Sequence, residues 1–127
     1  MDHLDYASEL LKTAKESMQF AYEYQKERAL YSEALNKLIG LIYETGLYKG
    51  KESFENKLSK LLGTDKAEIA KVYIEQLNTS EGNYKSYDKL IDACGKQVGA
   101  IQSVIKFNLT GELNSNIANK YERKDLW

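Results

Sequence analysis

Proline is absent from this chain of 127 residues, and residues that cross-link a chain are scarce. Proline lacks a backbone N–H and its ring clashes with the preceding helical turn, so it is the strongest helix breaker. A chain without proline therefore favours long helices. Cys94 is the only cysteine, which excludes an internal disulfide and suits a reducing compartment.

Histidine is equally scarce, since His3 is the only one. A Ser–His–Asp triad or a Cys–His pair needs a histidine beside the nucleophile, and His3 lies at the start of the chain, where helices fray. Cys94 falls in an apolar stripe, where a free cysteine behaves as a small hydrophobe. We therefore expect no metal site and no cofactor, and predict that the protein is not an enzyme.

Long apolar runs and an excess of one charge are also missing. No run approaches the roughly 20 apolar residues that cross a bilayer, and residues 1–5 are acidic, without the apolar segment of a signal peptide. The net charge is −1, whereas binders of double-stranded DNA usually carry a basic face. These absences predict a cytoplasmic protein that does not contact a membrane.

Tyrosine is abundant, with 10 tyrosines against 3 phenylalanines. Its apolar body and polar tip suit either a partly wet core or a contact surface. Tyr24, Tyr31 and Leu38 form a ridge with seven-residue spacing on a first predicted helix, residues 4–45. A parallel stripe is the predicted apolar face of this helix: Leu4, Ala7, Leu11, Ala14, Met18, Ala21, Leu35, Ile39 and Ile42.

Turn and capping residues follow this first helix. Gly46 is the predicted stop, and Ser53 is the candidate cap of a short helix over residues 53–62. Asp65 and Glu68 have the spacing of a capping box, with aspartate in place of the commoner serine or threonine. A second long helix is therefore predicted to begin near residue 65.

That second helix has strict heptad spacing, with apolar residues alternating three and four positions apart. The spacing continues through residues 78–83, which composition alone would assign to a loop. It predicts one helix over residues 65–109, with a break near Gly82 as the alternative. The positions of the stripe are Ala70, Tyr73, Leu77, Ser80, Tyr84, Tyr87, Ile91, Cys94, Val98, Ile101, Ile105 and Asn108.

These elements predict an all-α fold in a single domain, residues 1–127. A helix of 45 residues would span about 68 Å, whereas a compact domain of this size has a radius of gyration near 14 Å. The expected architecture is therefore an elongated antiparallel hairpin of helices 4–45 and 65–109 with the short helix 53–62. A compact bundle of four or five shorter helices is the alternative. The thin core of a hairpin would favour a second copy or another partner.

The segment 110–127 is predicted to turn at Gly111 and to form a short helical tail. Ile117 and Tyr121 lie four residues apart on that helix. Trp127 is expected either to fold back on the helices or to anchor the chain to another protein.

Gly95 and Gly99 lie four residues apart in the second long helix, although glycine costs about 1 kcal/mol relative to alanine inside a helix. With Ala70 as heptad position a, Gly95 falls at e, Gly99 at b and Gln102 at e, which leaves one side of the helix smooth. Such a strip permits close approach of another backbone. We expect it to pack against the first helix, with a homodimer or partner contact as the alternative.

Two other chemistries have weaker signals. The pairs Glu52–Glu55 and Glu122–Asp125 have the spacing used by all-α nucleotide pyrophosphatases to bind Mg²⁺, but charge runs of this kind usually form a solvated face. A lysine stripe beside tyrosines would suit single-stranded nucleic acid. Its members are Lys49, Lys51, Lys57, Lys60, Lys66, Lys71, Lys85, Lys89, Lys96 and Lys106.

The stretch YKSYDKLIDACGKQVGAIQSVIK, residues 84–106, resembles the C-terminal helix of small proteins encoded in the early, replication and recombination region of phages and prophages. The opening Leu-Gly-Thr-Asp at residues 62–65 is similar to theirs, and the match covers about residues 54–111. That family is mostly uncharacterised. The resemblance implies an accessory role in recombination or replication, or the blocking of a host defence.

The sequence thus predicts a non-enzymatic interaction protein that binds a protein partner, plausibly to inhibit a host defence or replication factor. The alternative is an accessory protein of phage DNA recombination that contacts single-stranded nucleic acid. The candidate interface residues are Gly95, Gly99, Gln102, Tyr24, Tyr31 and Trp127.

Overall fold

A computed structural model of the protein describes the backbone of residues 3–125 and the side chains of residues 5–109. Helix α1 spans His3–Glu44, α2 spans Phe54–Leu61 and α3 spans Ala67–Asp125, and a 3₁₀ turn covers Leu47–Lys49. No strand occurs within this range, and the two long helices pack against each other. The all-α prediction with two long helices and a short one is confirmed.

The ends of the helices follow local side-chain chemistry. Gly46 ends α1 with φ 77°, a left-handed conformation that glycine adopts without steric cost. The Ser53 hydroxyl accepts a hydrogen bond from the backbone N–H of Asn56, so the predicted cap of α2 is confirmed.

At the start of α3 the Thr64 hydroxyl accepts a hydrogen bond from the backbone N–H of Lys66, with an N···O distance of 3.2 Å. The predicted capping role of Asp65 is wrong, because the preceding turn brings Thr64 to the free N–H groups.

Helix α3 is continuous through residues 78–83, as its heptad spacing predicts. All heptad positions from Ala70 to Asn108 are buried or half-buried. Ser80 fits the buried stripe because its hydroxyl donates to the carbonyl of Gln76 at 2.6 Å. The helix also continues past Gly111 to Asp125, where the sequence predicts a turn and a separate tail. One glycine lowers helix propensity but removes no backbone hydrogen bond, and no proline follows to end the helix.

Residues 20–89 form one compact unit. In it α1 and α3 are antiparallel, since the Phe20 ring lies beside Tyr87, the Gln76 amide donates to the Leu30 carbonyl at 2.9 Å, and Glu44 pairs with Lys66. Helix α2 completes the core of this unit. The buried core residues are Ala34, Leu38, Leu41, Ile42, Leu61, Ala70 and Leu77.

The buried side of α1 differs from the predicted apolar face. Ala7, Leu11, Ala14, Met18 and Ala21 are exposed. Leu35 and Ile42 of the predicted face do lie in the core, and the side chain of Leu4 lies outside the described residues. The other side chains on the buried side of α1 follow the tyrosine ridge, one position before the predicted stripe. They are Tyr6, Leu10, Thr13, Ser17, Phe20, Tyr24, Glu27, Tyr31, Ala34, Leu38 and Leu41. Between residues 20 and 31 the reason is area: the rings of Phe20, Tyr24 and Tyr31 offer more apolar surface than Ala21 on the predicted stripe, and the hydrophobic free energy grows with the apolar surface buried.

Residues 1–19 and 90–127 form the second compact unit. Its described core contains small side chains, since Thr13 of α1 is 1% exposed and Cys94 of α3 is 6% exposed. Both residues lie in the heptad stripes of their helices. The structural role predicted for Cys94, as a small hydrophobe of the stripe, is therefore confirmed.

Candidate interaction surface

Gly95 and Gly99 of α3 face open space. A Cβ atom built on Gly95 or on Gly99 would meet no atom within 4 Å, and both residues are exposed. The prediction that these glycines let α1 pack closely is therefore wrong. The physical reason is their heptad position: the buried seam passes through Cys94 and Val98, so the neighbouring e and b positions point past α1.

The stability of a Gly99→Ala variant would test whether position 99 is open, as the structure has it, or tightly packed. Replacing Gly99 with alanine is expected to raise the free energy of unfolding by about 1 kcal/mol, because alanine loses less backbone entropy in a helix. Urea denaturation at low micromolar protein concentration, followed by circular dichroism, would measure the change. A loss of stability would instead show that the position is tightly packed.

The e positions identify which side of the helix pair is covered in the unit of residues 20–89. With Tyr24, Tyr31 and Leu38 as position a of α1, Leu35 and Ile42 fall at e, as does Ile74 of α3. All three pack in the core with α2. On the other side, at position g, Leu30 and Ile69 stay partly exposed. Helix α2 therefore covers the e side of the antiparallel pair.

In the other unit the e and b positions of α1 are exposed. Leu11 and Met18, at b, are 59% and 72% exposed, and Ala7 and Ala14, at e, are exposed too. Within the described residues no element covers them. We define the uncovered face as the exposed e and b residues of this unit: Ala7, Leu11, Ala14, Met18, Asp92, Gly95, Gly99, Gln102, Lys106 and Leu109. It combines three large apolar side chains with a smooth glycine strip.

The tyrosines predicted as interface residues belong to an internal cluster. The Tyr84 ring lies 5.9 Å from Tyr24 and 5.4 Å from Tyr31, measured between centroids, and both contacts are edge-to-face. The Arg28 guanidinium lies 4.6 Å from the centre of the Tyr84 ring. Tyr24 and Tyr31 are half-buried in this arrangement, so they tie α1 to α3. Gln102 is exposed on the uncovered face, whereas Trp127 lies outside the described residues.

The lysines predicted as a nucleic-acid stripe are interleaved with carboxylates. Ion pairs occupy several of them: Lys60 with Glu52, Lys66 with Glu44, Lys71 with Glu68, Lys85 with Glu81 and Lys96 with Asp92. The hydrogen bond from Lys60 lowers the pKa of Glu52, and the hydrogen bond to Glu81 raises the pKa of Lys85. Exposed pairs of this kind add little stability. They do, however, reduce the positive potential that a phosphate backbone would meet.

The carboxylates predicted for the pyrophosphatase alternative do not converge where the structure describes them. Glu52 is paired with Lys60, and the side chains of Glu122 and Asp125 lie outside the described residues. Within the described part of the chain, no group of three or more metal-ligating side chains comes together. Across the same residues, no helix has the apolar length that crossing a bilayer requires.

Comparison with protein-family models, with curated proteins and with solved structures finds no match to this chain. The resemblance to proteins of the phage early region therefore stays a prediction.

The exposed residues Leu11 and Met18 are the part of the surface that the sequence reading missed. Their stripe is apolar and has helical spacing, which is why it predicts a core face. The available signal was the neighbouring ridge of Tyr24, Tyr31 and Leu38, whose larger side chains compete for the same helix. Two apolar stripes on one helix indicate two contact surfaces. In the unit of residues 1–19 and 90–127, one stripe of α1 is buried or half-buried and the stripe of Leu11 and Met18 is exposed.

Proposed function

We propose that this protein is a non-enzymatic interaction protein and that its uncovered face binds another protein. The observation that carries the proposal is the exposure of Leu11 and Met18, two large apolar side chains of the unit formed by residues 1–19 and 90–127, on a face that no described element covers. A contiguous exposed apolar patch on a soluble domain is typical of a protein–protein contact.

The chemistry of the face favours a protein over other ligands. Its only charged residues, Asp92 and Lys106, have opposite signs. A small molecule would need a concave pocket that buries most of its surface. An amphipathic helix, by contrast, can lie along the groove between two helices with its apolar side inward.

The setting of this function rests on the resemblance to small proteins of the phage early region. We place the protein in the cytoplasm of a host cell, with a host defence or replication factor as the partner that it inhibits. The nucleic-acid alternative is less well supported. Lys71 and Lys85 form ion pairs with Glu68 and Glu81, which weakens their electrostatic attraction to phosphates.

Introducing charge on the uncovered face is expected to abolish partner binding. Leu11→Lys with Met18→Lys places two ammonium groups where a partner would be desolvated, so affinity should fall more than ten-fold. The matched control is Tyr22→Lys with Val72→Lys, which adds the same charge at two other exposed positions. Proteins captured by the wild type from host cells would be identified, purified and titrated against all three forms.

Equal affinity of both double variants would place the contact on another face. A purified wild-type chain that binds oligothymidylate, with affinity falling steeply between low and high salt, would support the nucleic-acid alternative instead.

A further inference from the structure

We propose that a second copy of the chain occupies the uncovered face, with the two α3 helices antiparallel and a two-fold axis at Gly99. The inference rests on the proposed function, because it takes the same face as the binding surface. It identifies one molecule that binds there, a second copy of the chain. A homodimer of this kind would form a two-layer bundle, with α1 over α1 and α3 over α3 of the two copies. Its evidence lies in the charges, the shape and the size of the face.

The charges of the face are complementary to themselves. Asp92, Gly99 and Lys106 are successive b positions of α3, seven residues apart, and all three are exposed. A two-fold axis at Gly99 therefore places Asp92 opposite Lys106 of the second copy, and the same pair forms again across the axis. The parallel arrangement would instead oppose Asp92 to its own copy, which costs free energy.

The other residues of the strip agree with this arrangement. Around the same axis Gly95 lies opposite Ser103 and Lys96 lies opposite Gln102, so no two like charges face each other. In the single chain Asp92 pairs with Lys96 at 3.2 Å, and that pair is mostly exposed. An exposed pair of this kind is worth little, so Asp92 can exchange it for Lys106 of the second copy.

The shape of the face is also self-complementary. Gly99 presents open space at the axis, which allows two helix backbones to approach more closely than any larger residue would. The axis that makes the α3 helices antiparallel also lays each α1 over α1 of the second copy, so the exposed Leu11 adds apolar contact beside the glycine strip. Each copy contributes both the large side chains and the gap, as an isologous interface requires.

The size of the face sets the expected strength. Residues 92–106 span about 21 Å along the helix, and two helices packed about 10 Å apart make a face roughly 20 Å wide. The footprint is therefore about 400 Å² for each copy, about half of what a standard interface buries per partner. We expect a dissociation constant in the micromolar range, so that monomer and dimer exchange with concentration.

A charge-swap experiment tests the arrangement. Sedimentation equilibrium of the full chain would be measured from about 1 to about 500 μM, a range that brackets a weak dimer. Asp92→Lys and Lys106→Asp are each expected to weaken the dimer about ten-fold, since each turns two attractive pairs into two repulsive ones. The double variant restores opposite charges across the axis, so its dissociation constant should return close to that of the wild type.

The control variant is Lys12→Asp, which makes the same charge change at an exposed c position of α1, on the opposite side of the helix pair from the face. It should leave the dissociation constant unchanged. Several outcomes would overturn the proposal: a wild type that is monomeric at every concentration, single reversals that behave like the control, or a double variant that stays weak.

Failure of the dimer is distinguishable from failure of the proposed function. A monomeric wild type whose binding to a purified partner still needs Leu11 and Met18 would reject the second copy and retain the interaction surface. A dimer that obeys the charge swap but for which no partner depends on the face would support the second copy and reject the inhibitory function.

Discussion

Replacing Leu38 with alanine is expected to lower the free energy of unfolding by about 3–4 kcal/mol. Leu38 is 0% exposed and lies in the core that α1, α2 and α3 share in the unit of residues 20–89. Truncation removes apolar burial and leaves a cavity that three helices cannot close without moving. Urea denaturation followed by circular dichroism at 222 nm (the helix band) would give the change.

Leu11→Ala is the matched control, since it removes the same atoms from the same helix at a side chain that is 59% exposed. Its effect should stay within about 0.5 kcal/mol at concentrations where the chain is monomeric. The pair of variants decides which apolar stripe of α1 is the core. A large loss for Leu11→Ala with a small one for Leu38→Ala would contradict the buried face described above.

Replacing Tyr84 with alanine is expected to cost about 2–3 kcal/mol of unfolding free energy, somewhat less than a fully buried aromatic residue because the side chain is half-buried. The ring sits at the centre of the internal cluster, between Tyr24 and Tyr31, with Arg28 over its face. Its loss removes two edge-to-face contacts and one cation–π contact at once. Thermal denaturation would show a lower melting temperature.

Two further variants separate the ring from its hydroxyl and from general truncation. Tyr84→Phe keeps the ring contacts and should cost less than about 1 kcal/mol. Tyr22→Ala removes a tyrosine that is 64% exposed and should be close to neutral. If Tyr84→Phe were as damaging as Tyr84→Ala, the hydroxyl rather than the aromatic cluster would hold the helices together.

Helix α3 shows how far pattern alone reaches. Its buried positions follow the heptad stripe from Ala70 to Asn108, including the polar stretch 78–83. A stripe is readable when one side of a helix is apolar along its whole length, because the period of the helix then fixes which residues share a face. The helix ends at Gly46 and Ser53 could also be predicted from the sequence, because each depends on a few neighbouring residues.

Helix α1 shows where pattern alone fails. It carries two apolar stripes, and the period of a helix cannot say which of them meets α3. The choice depends on how much apolar area each stripe buries against residues far away in the chain. In residues 20–31 the rings of Phe20, Tyr24 and Tyr31 decide it. In residues 5–19 Thr13 is buried, whereas the larger Leu11 and Met18 stay at the surface.

The sequence by itself determined the helical class, the continuity of α3 and the heptad positions of Gly95 and Gly99, because all three depend on backbone hydrogen bonding and on spacing within one helix. Only the tertiary structure decided which side of the helix pair α2 covers and which side remains bare. That decision depends on contacts between separate helices, where burial of larger apolar surfaces outweighs the local pattern. The uncovered face, and with it the candidate interaction surface, is a consequence of that packing.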